Sequence, residues 1–197
     1  MRRILFSLLA AAVVLPLTGC NPYNRLVDAD ESVRESWANV ESSYQRRADL
    51  VPNLVSTVRG AADFERTTLQ DVTEARARAS GARVAPEDLD DPEAMAAYVA
   101  AQNQLGGALS RLLAITENYP ELRATEGFRD LQAQLEGTEN RINVARTRYN
   151  ESVRGYNTQV RRFPTNMVAR ITGFRTKTPF EAEAGAERAP EVDFNFQ

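Results

Sequence analysis

The sequence predicts an all-α fold: an antiparallel, up-and-down four-helix bundle with long helices. Three observations predict it. Apolar residues recur at alternating spacings of three and four over long stretches, which marks one face of a helix. No stretch alternates apolar and polar side chains as a half-buried strand does. The ten glycines and nine prolines fall mostly outside the periodic stretches. With 197 residues, 43% hydrophobic and 26% charged, the chain suits one domain.

The first stripe runs Leu26, Val33, Trp37, Val40, Tyr44, Ala48, Val51, with the polar Asp30 occupying its one missing step. Pro52 then removes a backbone donor and disfavours helical geometry at Val51. The stripe continues in phase through Val55, Val58, Ala62, Leu69 and Val72, so the chain either kinks at Pro52 or breaks there into two helices. Residues 81–91 read as a loop. Asp91-Pro92-Glu93 is a helix start, with a capping acid and proline at the first position. Met95, Val99, Leu105, Leu109, Leu112 and Leu113 carry that helix to Pro120, and Gly106-Gly107 in its middle predict a close crossing or local bend. The strongest periodicity is Phe128, Leu131, Leu135, Thr138, Ile142, Ala145, Tyr149, Ser152, Tyr156, Val160, a helix about 50 Å long that Pro164 ends. A short amphipathic segment with Met167, Val168, Ile171 and Phe174 is expected to fold back as a cover. Residues 26–180 form the bundle, and 181–197 read as a disordered acidic tail, poor in apolar residues, in which Phe194 and Phe196 stand out.

Residues 1–19 read as a lipoprotein signal peptide. Arg2 and Arg3 are a positive start, Ile4 to Leu15 an apolar run, and Leu17-Thr18-Gly19-Cys20 looks like a bacterial lipobox whose cysteine is acylated. The apolar run is shorter than the ~20 residues a spanning helix needs, which weighs against a transmembrane anchor; a plain secretory signal with an unrelated cysteine is the other alternative. Acylation at Cys20 accounts for a lone thiol in an exported chain and gives lasting attachment when two or three chains are added. Residues 20–25 are then the lipidated anchor and a short linker. Asn21, where an aspartate would signal inner-membrane retention, favours the outer membrane or a periplasm-facing site in the cell envelope.

Composition excludes much chemistry. There are no histidines and one cysteine, so no catalytic site, no metal site and no cofactor is expected: imidazole or clustered thiolate ligands cannot be assembled, nor can a Ser-His or Cys-His dyad. Without Arg2 and Arg3 the formal charge falls from -3 to about -5, which gives no general attraction to nucleic acid. Lys177 is the only lysine and reads as a compositional habit, not a site.

Three motifs resemble the LemA family of bacterial envelope proteins. They are Arg46-Arg47-Ala48-Asp49-Leu50-Val51-Pro52-Asn53-Leu54-Val55, then Glu117-Asn118-Tyr119-Pro120-Glu121-Leu122, and Thr138-Glu139-Asn140-Arg141-Ile142 continuing through Arg146, Tyr149-Asn150, Tyr156-Asn157 and Phe163-Pro164. The likeness runs from about Tyr23 to Phe180. It implies a four-helix bundle attached to a membrane at its N-terminus, and no established reaction. Many members begin with a true membrane-spanning helix, from which the lipobox departs. Some members are linked to magnetosome membranes and others are encoded near a membrane metalloprotease.

Arg46, Arg47, Asp49, Pro52 and Asn53 on one side, and Glu139, Asn140 and Arg146 on the other, are expected to form a polar network that fixes helix register; a recognition surface is the alternative. Tyr149 and Tyr156 share a face, each followed by an asparagine (Asn150, Asn157). They read as core tyrosines with hydroxyls at the bundle edge, or as the wall of a shallow groove for a peptide or helix. The function expected is a non-enzymatic envelope lipoprotein, a structural or protein-interaction module held to the membrane by its lipid anchor and bound to another envelope protein. The alternatives are a regulatory adaptor of a membrane protease or quality-control system, and an enzyme working with carboxylates, arginines and tyrosines alone.

Overall fold

The computed structural model describes residues 2–60 and 65–180, with side chains from Pro22 onward. The acidic tail and the Cys20 side chain lie outside these described residues. Six helices follow one another: α1 (Arg2–Arg59), α2 (Arg66–Gly81), α3 (Pro92–Thr116), α4 (Pro120–Ala124), α5 (Glu126–Arg161) and α6 (Thr165–Thr172). No strand occurs among the described residues. The four longer helices α1, α2, α3 and α5 alternate in direction, as the periodicity predicts.

The bundle is uneven along its length. α1 and α5 run its whole extent and pack on each other throughout. α2 and the later part of α3 occupy the half distant from the chain's start, where Leu54, Val58, Val72, Leu105, Leu112 and Phe128 form one core cluster. In the other half Trp37, Tyr98, Ile142, Tyr149 and Tyr156 form a second cluster, closed by Val84 and Leu89 from the 82–91 connection and by Phe180. Beside α1, α5 and the start of α3, this half is thus completed by two irregular segments. The loop reading of 81–91 holds, with a short 3-10 turn at Pro86–Asp88, but its Val84 and Leu89 are core residues.

Pro52 neither breaks the chain nor starts a helix, because α1 continues to Arg59. The break comes later, at Gly60. The physical reason lies in α2. Proline leaves the carbonyl of Ala48 without its usual donor four residues on, and Arg76 Nε donates to that carbonyl at 2.8 Å. The orphan acceptor is satisfied from the neighbouring helix, so the kinked-or-broken choice resolves to one helix. Residues 20–25, expected as a linker, also continue α1.

Asp91 caps α3 as predicted, accepting from the amides of Glu93 at 2.8 Å and Ala94 at 3.3 Å. On α5 the buried series shifts from Ser152 to Val153, the drift expected when a 3.6-residue helix carries a seven-residue repeat. α6 differs more from expectation. Val168 and Phe174 are half-buried, but Met167 and Ile171 are 57% and 85% exposed, so the cover faces outward with half its apolar residues. Gly173, at φ 82, ends α6 in the left-handed conformation that glycine adopts without strain. The chain then runs extended from Phe174 to Phe180 between α1 and α5.

Candidate functional site

The segment 174–180 is held as a bound peptide would be. Asn157 Nδ2 donates to the Lys177 carbonyl while the Lys177 amide donates to Asn157 Oδ1, both at 2.8 Å. Seven residues earlier, Asn150 repeats the arrangement on Phe180, donating at 3.0 Å and accepting at 2.8 Å. Two turns of α5 therefore present two carboxamides in the same orientation, each pairing with both backbone groups of one residue. Tyr149 adds a donor, its hydroxyl to the Thr178 carbonyl at 2.9 Å, and the Thr178 amide donates to the Leu89 carbonyl at 2.8 Å.

Side chains fix the register of this strap. Phe180 lies 5.9 Å from Trp37 and 5.3 Å from Tyr149 between ring centroids, with the Arg146 guanidinium 5.0 Å from its own ring. Lys177 is buried, its ammonium 3.0 Å from Asp30 and 5.4 Å from the Tyr156 ring. Asp30 also accepts from Arg34 at 2.8 Å. Burial alone would push the Asp30 carboxyl up, but the hydrogen bonds and charges of Arg34 and Lys177 prevail and hold it below the ordinary aspartate value. Burial also pushes the phenols of Tyr149 and Tyr156 well above their usual range, so both stay neutral. The core reading of these tyrosines holds, and the groove they border is filled by the chain itself.

Lys177 is accordingly a structural position and not a compositional habit. Nothing in the sequence marked it except Asp30, the polar residue on an otherwise apolar stripe.

A second polar cluster sits where the two cores meet. Arg47 is buried at 5% exposure. Its Nη1 reaches Glu139 at 3.2 Å, and Nη2 donates to the carbonyl and the side-chain oxygen of Gln102 at 2.8 and 3.2 Å. Gln102 in turn donates to the Ala79 carbonyl at 3.1 Å, near the end of α2. The guanidinium lies 5.0 Å from the Tyr44 ring. One residue thus ties α1, α3 and α5 together, with α2 joined through Gln102. The expected contact between the first and third motifs is present, but narrower than expected: Arg47 meets Glu139, whereas Arg46, Asn53 and Asn140 are exposed, Asp49 bonds Gln45 within α1 at 2.8 Å, and Arg146 belongs to the strap. Gln102 escaped sequence reading because a glutamine within a helical stripe carries no distinguishing signal.

Fold and site together define an all-helical bundle whose buried ionisable side chains close the structure on itself. The chain belongs to the LemA family, whose model matches residues 36–194. It is similar to magnetosome protein MamQ 2 of Paramagnetospirillum magneticum, 26% identical over 84% of this chain and 66% of that protein. It is likewise similar to magnetosome protein MamQ of Magnetospirillum gryphiswaldense, 28% identical over 78% and 62%, and to protein LemA of Metamycoplasma hominis, 22% identical over 81% and 68%. The chain spans less than two thirds of the length of these MamQ relatives. The family places it among membrane-associated envelope proteins without an assigned molecular activity.

Proposed function

We propose that this chain is a non-enzymatic envelope lipoprotein: acylated Cys20 holds a helical body at a bilayer, and the body works as a protein-interaction module. The observation that supports this most is where the ionisable groups go. The charged side chains buried in the described body are Asp30, Arg47 and Lys177. Each is tied to a partner that fixes the fold: Asp30 to Lys177 across the strap, Arg47 to Glu139 across the bundle. Groups of the kind that elsewhere perform acid–base work here hold segments together.

The anchor is tested in cells. Labelled palmitate should enter the wild-type protein and not Cys20→Ser, and Cys20→Ser should leave the membrane fraction. A Cys20→Ser chain that stays membrane-bound, with no label in the native protein, overturns this reading. The interaction role predicts that crosslinking in intact cells recovers the same partner in repeated experiments, and that this partner is lost when Cys20→Ser releases the body.

A further inference from the structure

Four of the five large apolar side chains exposed in the described body lie at one end: Tyr23 at 43%, Phe163 at 74%, Met167 at 57% and Ile171 at 85%. Met167 and Ile171, spaced by four, share one face of α6, and Phe163 is exposed in the turn just before it. This is the end from which α1 leads back to Cys20. Tyr23 stands three residues after the cysteine, about 5 Å along the helix, and its ring lies 6.2 Å from that of Phe174 just beyond α6.

Charge is segregated to the same end. From Ser152 to Phe180 the sequence holds six basic residues and no acid, within a chain of net charge -3. Lys177 is spent on Asp30 and Arg175 reaches Asp90 at 3.6 Å, but Arg154, Arg161, Arg162 and Arg170 are exposed. Arg25 of α1 joins Arg154, Arg162, Phe163 and Thr165 around a concavity of about 710 Å³, in which Glu151 is the one acidic lining residue. α1 itself becomes acidic only from Asp28.

We infer that α6 and the turn at Phe163-Pro164 form a second membrane contact, with Phe163, Met167 and Ile171 entering the headgroup boundary and Arg25, Arg154, Arg162 and Arg170 meeting anionic lipid phosphates. An apolar helical face flanked by arginines suits the plane of a bilayer interface, and each basic side chain near an anionic surface adds about 1 kcal/mol, roughly a fivefold gain in contact. A lipid surface is favoured over a protein partner because these side chains lie at the end of the bundle from which α1 leads back to Cys20, the proposed anchor. The contact would hold the long axis of the bundle in one orientation to the membrane, which a tether alone does not do.

The inference builds on the anchoring reading, and one experiment separates the two. The purified full chain is reconstituted by detergent removal into phosphatidylcholine–phosphatidylglycerol vesicles, with and without brominated acyl chains. Flotation reports anchoring. Quenching by the brominated chains is compared for Ile171→Trp and for Val144→Trp, an exposed position about 25 Å along α5 from its end; the buried Trp37 is common to both. Ile171→Trp should be quenched several-fold more than Val144→Trp, and Arg162→Gln with Arg170→Gln should reduce that quenching. In phosphatidylcholine alone the quenching should also weaken. Chains that float while Ile171→Trp is quenched no more than Val144→Trp overturn the α6 contact and leave the anchor standing, and the exposed apolar side chains then belong to a protein partner. Chains that do not float overturn both.

Discussion

Pro52 and Arg76 show how one residue's defect is met by another's side chain. The motif containing Pro52 reads as a helix kink or break because proline costs its helix a donor and crowds the preceding turn, about 3 kcal/mol in a helix interior. The Ala48 carbonyl it orphans lies partly buried against α2, and Arg76 supplies the donor. Replacing Arg76 by alanine should cost about 1–2 kcal/mol in wild type, read from denaturant unfolding. A Pro52→Ala background restores the helical donor, so the same substitution should cost distinctly less there. Equal costs in both backgrounds would show that Arg76 does not compensate for the proline. Asp30 makes a second prediction at this scale. Its folded value is lowered, so the stability it supplies is complete above the ordinary aspartate value near 3.8 and is lost as pH falls through the lower folded value. The stability gap between wild type and Asp30→Asn should stay constant from neutral pH to about pH 4 and close below it. A gap that closes near pH 6 would contradict the assignment to Asp30.

At the scale of elements, the long helices and their buried faces were legible in the sequence because periodicity depends only on which residues a helix turns inward. α1, α3 and α5 bury most of the stripes read for them: Val99, Leu113, Ser152 and Val160 are only partly covered, and Ala62 lies outside the described residues. The strap was not legible, because an extended segment held by side-chain amides has no period; its only trace was two Tyr-Asn pairs seven residues apart. α6 misled for a related reason: an amphipathic eight-residue stretch shows that a face exists but not whether protein or something else covers it. Gly106 and Gly107, read together as a close crossing or local bend, divide in the structure. A β-carbon at Gly106 would lie 3.4 Å from the Arg47 guanidinium, whereas one at Gly107 meets nothing within 4 Å. Gly107→Ala should therefore stabilise α3 by about 0.5–1 kcal/mol through helix propensity, seen as a raised Tm. For the strap, Asn150→Ala or Asn157→Ala each removes a donor and an acceptor from a buried backbone residue. Amide exchange at residues 174–180 should accelerate in either variant while α2 and α3 stay protected. Unchanged exchange would mean that packing of Phe180, not the paired amides, holds the segment.

For the whole molecule, the two core clusters imply two stabilities joined at Arg47. In the distant half α2 packs on α1 and on α3, α1 packs on α5, and side chains of all four share one core. The half nearer Cys20 has two long helices and the start of α3, completed by a connection and a strap, so its core depends on residues remote from it in sequence. Ending the chain after Gly173 removes Phe180 from Trp37 and Tyr149, and Lys177 from Asp30. The buried Asp30 then keeps only Arg34 as a partner, and a large aromatic face is opened to water. Such a face favours local opening over global unfolding, because regions with few buried contacts open at lower free energy. Native-state hydrogen exchange on the truncated chain should show protection lost in α1 between Leu26 and Val40 and in α5 beyond Ala145, with α2, α3 beyond Gln102 and the first half of α5 nearly unchanged. A loss spread evenly over both halves would show that Arg47 and Gln102 couple the clusters into one cooperative unit. If the loss is confined, the half nearer Cys20 is the part of this molecule that its own C-terminal segment can tighten or release, while the distant half remains folded in either state.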